Sequence, residues 1–408
     1  MDIGTRRVAA LGLALVLGGS GLPVAVAGED GVKSVAESNN RFALDLYAEL
    51  AGGDPARNLF FSPSSISTAL AMTLTGARGT TAEEMRQTLR FTLEDAALHG
   101  AMADLTARLG STGEGMELSI ANALWGQRGF EFLPEFLELN REHYGAGLRL
   151  VDFVGATEPA RQEINGWVAE ETRDKIPELI PPGLLDAATR LVLTNAIYFK
   201  GTWKLQFDPE LTRDMPFLVS ADREVTVPMM SMRSPEFPYF EGNGVQALEL
   251  PYVGERTSMV LLLPDETTGL DAFESKLDAE SLESMLGEMR SRELQSVQLP
   301  RFTMTRKFRL EETLGRMGMP AAFGAGADFS GMTGRRDLFI SNVVHEAFVQ
   351  VNEEGTEAAA ATGVVMKRTA YVPKPVFRAD RPFIFLIRDD DTGAILFMGR
   401  VVDPSVKS

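Results

Sequence analysis

Three histidines, His99, His143 and His345, and no cysteine are what this 408-residue chain offers for conventional catalysis. An imidazole would serve as a base or a metal ligand, yet none of the three belongs to an H-E-x-x-H zinc site, because His345-Glu346 lacks the second histidine. There is no G-x-S-x-G nucleophile elbow and no G-x-x-x-x-G-K-[ST] phosphate loop. Asp389, Asp390 and Asp391 cluster as calcium ligands do, but the later ligands of an EF-hand loop are missing and a solvated hairpin turn accounts for them. Gly324-Ala-Gly326 lacks the third glycine of a dinucleotide fingerprint and reads as a turn. Neither a metal nor a cofactor is expected. A hydrolase whose Ser-His-Asp triad assembles from distant residues stays open as an alternative.

The chain's most distinctive chemistry is that of a segment able to change place. Residues 352–365 place the acidic, glycine-containing stretch Glu353, Glu354, Gly355, Thr356 and Glu357 ahead of Ala358, Ala359, Ala360, Ala361 and Thr362. With a period of two, Thr356, Ala358, Ala360, Thr362, Val364 and Met366 share one face, which a strand could bury. Four consecutive alanines also favour helix, and Gly355 permits backbone conformations that other residues resist. The residues alone therefore leave strand, helix and a flexible Ala-rich surface loop open.

Three further segments stand in the order and spacing of the serpin family: Asn58-Leu-Phe-Phe-Ser-Pro-Ser-Ser-Ile-Ser67, Thr194-Asn-Ala-Ile-Tyr-Phe-Lys-Gly-Thr-Trp203, and Arg381-Pro-Phe-Ile-Phe-Leu-Ile-Arg388 leading to Phe397-Met-Gly-Arg400. With the hinge they cover roughly residues 34–404, and the chain resembles an inhibitory, secreted, prokaryotic-type serpin. The resemblance implies an α+β fold with a large central, mainly antiparallel sheet, two smaller sheets, eight or nine helices and an exposed reactive-centre loop near 353–376. It implies one domain over 28–408, a monomer, and a serine protease as partner. The protease would be acylated on the loop, which then inserts into the sheet and traps the complex. Counting from Glu353 places the reactive bond between Thr369 and Ala370, suiting an elastase- or subtilisin-like pocket; a register one residue shorter, between Arg368 and Thr369, suits a trypsin-like one. Ser62, Ser65, Asn195 and His345 match the family's shutter, and Trp203, Arg301 and Glu353 its breach. A non-inhibitory carrier or structural protein of the same fold, and a cross-class inhibitor of cysteine proteases, are the alternatives.

The elements that must position these residues follow from pattern. Helical spacing runs through 38–50, a second helix opens at Pro63, and Thr80 with Glu83 three residues on resembles a capped start. Residues 158–176 read as an amphipathic helix stopped by Pro177. Residues 118–125 and 191–199 read as buried strands, and 236–264 and 383–402 as strand-turn-strand units. Met1 to Ala27, with Arg6 and Arg7, an apolar run over 8–17 and Ala25-Val-Ala27, has the form of a secretory signal peptide, so an extracellular or periplasmic protein beginning near Gly28 is expected. Forty Lys and Arg against 57 Asp and Glu give a net charge of -17, which argues against nucleic acid, polyanions and anionic membranes as partners. Polyanion activation through a basic helix is disfavoured again by 93–108, where Arg108 is the one permanent cation.

Overall fold

A computed structural model describes residues 28–110, 115–145, 147–265, 269–356 and 374–406. The predicted signal segment, the hinge residues 357–362 and both predicted reactive bonds lie outside them. Ten α-helical segments occur among the described residues, eight of them seven residues or longer.

Helix α1 (Glu29–Gly53) buries Phe42, Leu46 and Tyr47. Helix α2 (Pro63–Leu74) is opened by Ser62, whose side chain accepts the Ser65 amide, with Pro63 in the first turn where its missing N–H leaves nothing unpaired. Its small residues let it lie almost wholly buried beneath the central sheet. Helix α3 (Gly79–Thr88) departs from expectation: Arg78 is the N-cap, without a side-chain bond, and Thr80 with Glu83 does not form the cap. The Thr81 hydroxyl beside them accepts the Asp328 amide instead, a tertiary contact invisible to local pattern. Helices α4 (Asp95–Gly110) and α5 (Pro134–Tyr144) follow. Helix α6 (Thr157–Glu171) ends before the expected 176, because Arg173 and Asp174 turn into the left-handed region (φ 51° and 59°) well ahead of Pro177.

The central sheet contains β1 (Met116–Gln127), β2 (Leu148–Val151), β3 (Leu191–Thr202), β4 (Phe302–Arg309), β5 (Asn342–Val351) and β6 (Gly355–Thr356). Its order is β4-β5-β3-β1-β2, with β6 paired to β3. Three of its five pairings are antiparallel; β5 with β3 and β1 with β2 are parallel. Strand β3 is covered on both faces, which is why it reads as a nearly continuous apolar run. Val192 and Ala196 pack with Ile164 and Val168 of α6, while Leu193, Ile197 and Phe199 face the cores over α2 and the second sheet.

That second sheet has seven strands and includes Val245–Pro251, Thr257–Pro264, Phe383–Asp389 and Ile395–Val401; a four-stranded sheet completes the fold. The acidic triplet forms the expected hairpin turn. Asp389 accepts the Thr392 amide at 2.8 Å, and Arg256 and Arg388 pair with all three carboxylates at 2.9–3.3 Å.

Candidate functional site

The parallel seam between β5 and β3 is where the predicted site residues meet. Its register runs from Asn342 opposite Val192 to Phe348 opposite Tyr198, and then the two strands part. The chain leaves β5, turns at Asn352, and returns into the gap as β6, with Gly355 opposite Thr202 and Thr356 opposite Gly201. The Asn352 side-chain oxygen accepts the amides of Glu354 and Gly355 at 3.1 and 3.2 Å, holding the turn. Gly355 has φ of 147°, and a Cβ there would lie 2.1 Å from the Gly201 carbonyl oxygen, so glycine is required twice over. The choice between strand and helix is thus settled as strand for Gly355 and Thr356, because β3 beyond Tyr198 has backbone groups to pair.

Around this entry point the three predicted breach residues converge. The Trp203 indole stacks on Tyr252 at 4.5 Å between centroids and donates to the Asn352 carbonyl at 3.1 Å. The Arg301 Nε lies 2.7 Å from both oxygens of Glu353, and the Thr212 hydroxyl also donates to that carboxylate. Burial opposes the Glu353 charge, but these donors outweigh it and hold the carboxyl below the usual carboxylate range. Arg301 is half exposed while Glu353 is buried.

The four predicted shutter residues lie together under the middle of the seam, all buried. The Ser62 amide donates to His345 Nε2 at 3.1 Å. A backbone N–H can only donate, so Nδ1 carries the proton and donates across the seam to Asn195 Oδ1. The Asn195 amide group donates in turn to Ser65 Oγ at 2.6 Å and to Asn122 Oδ1. Asn122, Tyr252 and Thr212 are members of the site that sequence reasoning missed. Asn122 stood out in one respect, as a polar side chain inside an apolar strand; nothing local marked the other two.

With this geometry in place, the sequence profile described as "Serpin (serine protease inhibitor)" is found to match residues 37–404. The chain belongs to the serpin family. It is 46% identical over 386 residues to the leukocyte elastase inhibitor of Bos taurus, covering 91% of this serpin and all of that protein. Among solved structures, Serpin48 of the insect Tenebrio molitor, described as a highly specific serpin, superposes with a TM-score of 0.81 at 35% identity over 92% of this chain and 99% of that one. Uncleaved ovalbumin gives 0.82 at 32% identity over 91% and 100%.

Two buried histidines, His345 and His99, are expected to make this serpin acid-sensitive. Burial lowers His345 to about 3, and burial with His143 and Arg86 nearby lowers His99 to about 4, both from 6.5. Below pH 6.5 the unfolded chain takes up protons that the folded one refuses, so stability is full above that value and falls with pH until these groups titrate. Each histidine contributes a slope of up to ~1.4 kcal/mol per pH unit. Thermal melts from pH 7.5 to 4.5 are expected to show a steady decline below 6.5, shallower in the His99→Gln variant.

Proposed function

We propose that this serpin inhibits serine proteases of the elastase class as a suicide substrate, and is not itself a hydrolase. The observation that carries this is β6: Gly355 and Thr356 already occupy the gap between β5 and β3 as the first rungs of an added strand. The next residues, Glu357 to Ala361, bring four alanines that oppose little steric bulk to further entry.

In the reaction, the protease's serine oxygen adds to the carbonyl of the reactive bond. The peptide C–N bond then breaks, the amine leaves with a proton from the protease's histidine, and the loop stays esterified to the enzyme. Before water can cleave the ester, the segment 356–369 enters the seam with Thr356 first. Fourteen residues at ~3.3 Å each carry the protease ~45 Å, far enough to pull its triad and oxyanion hole apart. About ten backbone hydrogen bonds at ~1 kcal/mol net each supply on the order of 10 kcal/mol, comparable to the stability of a whole domain. The uninserted protein is on this account kinetically trapped.

The relatives named leukocyte elastase inhibitors support the elastase class, and Thr369 before Ala370 suits its small pocket. Lys367 and Arg368 add a trypsin-like target in the shorter register. Incubation with pancreatic elastase, subtilisin and trypsin in turn is expected to give a complex stable on a denaturing gel, and a released peptide beginning at Ala370 for elastase or Thr369 for trypsin. Complete loop cleavage by all three without any complex would remove the inhibitory function for these targets. We also propose export. Helix α1 begins at Glu29, next to the predicted cleavage point, and N-terminal sequencing of protein recovered outside the cytoplasm should read from Gly28.

A further inference from the structure

The shutter ties the seam from below; a second contact ties it from above. On the α6 side, the fork of the seam is marked by Tyr198 and Phe348, the last registered pair, whose rings lie 6.1 Å apart. The Lys175 ammonium lies 5.3 Å from the Tyr198 ring and 5.6 Å from the Phe348 ring, within cation–π range of both.

Lys175 is brought there by the same turn that ends α6 early. Arg173 and Asp174 are non-glycine residues in the left-handed region, a conformation that needs support from its surroundings. The support is explicit. The Asp174 amide donates to the Ala169 carbonyl at 2.8 Å, and the Thr172 hydroxyl donates to Val168 O at 2.7 Å while accepting the Ile176 amide at 3.2 Å. Arg173 itself pairs with Glu117 of β1 at 2.6 Å, anchoring the turn to the neighbouring strand. Strained backbone, a strand anchor and a cation centred over two rings from two different strands make an arrangement specific to the closed seam.

We propose that Lys175 is a latch on loop insertion, holding β3 and β5 together at the fork until the loop forces them apart; the proposal rests on the inhibitory function above. Neighbouring strands lie ~4.8 Å apart, so an interposed strand doubles the distance between β3 and β5 and separates the two rings. Continuing the register of Gly355 with Thr202 and Thr356 with Gly201 puts Ala359 between Tyr198 and Phe348 in the inserted form. The ammonium then keeps at most one ring. Its hold therefore belongs to the uninserted state and slows the step that races deacylation.

The test uses the intact, uncleaved protein and a synthetic peptide of residues 356–369, with uptake followed on native gels and by the gain in heat stability. Lys175→Met, which keeps the length and apolar stem, is expected to take up peptide about three- to tenfold faster than wild type. Lys175→Arg, which keeps the cation, should stay within about twofold of wild type. In a Phe348→Leu background, Lys175→Met should add little. The rate of loop cleavage by elastase should be the same in all variants, since attack on the reactive bond precedes insertion. Equal uptake by wild type and Lys175→Met, or equal acceleration by Lys175→Met and Lys175→Arg, overturns the latch alone. A wild-type protein that takes up no peptide and gains no heat stability on loop cleavage overturns both the latch and the inhibitory function.

Discussion

Thr356→Arg is expected to convert this serpin from a trap into a substrate, with protease cutting the loop at an undiminished rate and departing active. Thr356 is buried, and its hydroxyl lies 3.1 Å from that of Tyr252, which stacks on Trp203. A guanidinium in that place meets the Tyr252 and Trp203 rings and the backbone of β3, and an uncompensated buried charge costs several kcal/mol. The hinge is then expelled from the gap, and insertion must begin by burying arginine. Since each ~1.4 kcal/mol of added barrier slows a step tenfold, deacylation overtakes insertion and inhibitor consumed per protease trapped rises from about one to above ten. Titration of elastase activity against the variant, with a denaturing gel, reads both numbers. Trapping with unchanged stoichiometry would sink the insertion mechanism.

Asn195→Ala should have the second large effect, on the durability of the uninserted form. The substitution strips the partner from His345 Nδ1–H and takes donors from Ser65 and Asn122, all buried or nearly so. Ser65 Oγ still donates to Asn122 Oδ1 at 2.9 Å, so the group left unpaired is His345 Nδ1–H; the uninserted form loses about 1–3 kcal/mol, and its melting midpoint drops by a few degrees, roughly 2–4 °C. The loop-cleaved form should lose less. In it the Asn195–His345 bond is already broken by the interposed strand, and the continued register places Thr362 opposite Asn195 to offer a new hydroxyl. The measurement is the difference between the two forms' melts, together with self-association of the uncleaved variant on warming. Equal losses in both forms would assign the Asn195 network to general packing.

How much of this was legible beforehand differed by residue. The acidic hinge, the small side chains after it and the buried run of β3 were visible because composition and period two write them locally. Ser62, Ser65, Asn195 and His345 could be gathered only through the family resemblance, since they come from three separate stretches of chain. Asn122 joins them through its register with Asn195 across β1 and β3, and register is set by the whole sheet. Thr80 and Glu83 had the right spacing for a cap and lost to a tertiary contact at Thr81. The early end of α6 could not be foreseen from Pro177, because the turn at Arg173 and Asp174 is fixed by hydrogen bonds back to the helix and by Glu117.

The parallel pairing of β5 with β3 has a directional consequence. A strand laid between two parallel neighbours can run antiparallel to both, exchanging one set of slanted hydrogen bonds for two straight ones. The tight reversal at Asn352 delivers the chain in that orientation, as Gly355 and Thr356 already show. The seam thus has a built-in polarity for an incoming strand, readable by an extended segment of small residues entering from the Trp203 end. Its own loop is favoured only by being tethered there; the same loop on a neighbouring molecule, or a free peptide, carries the same key.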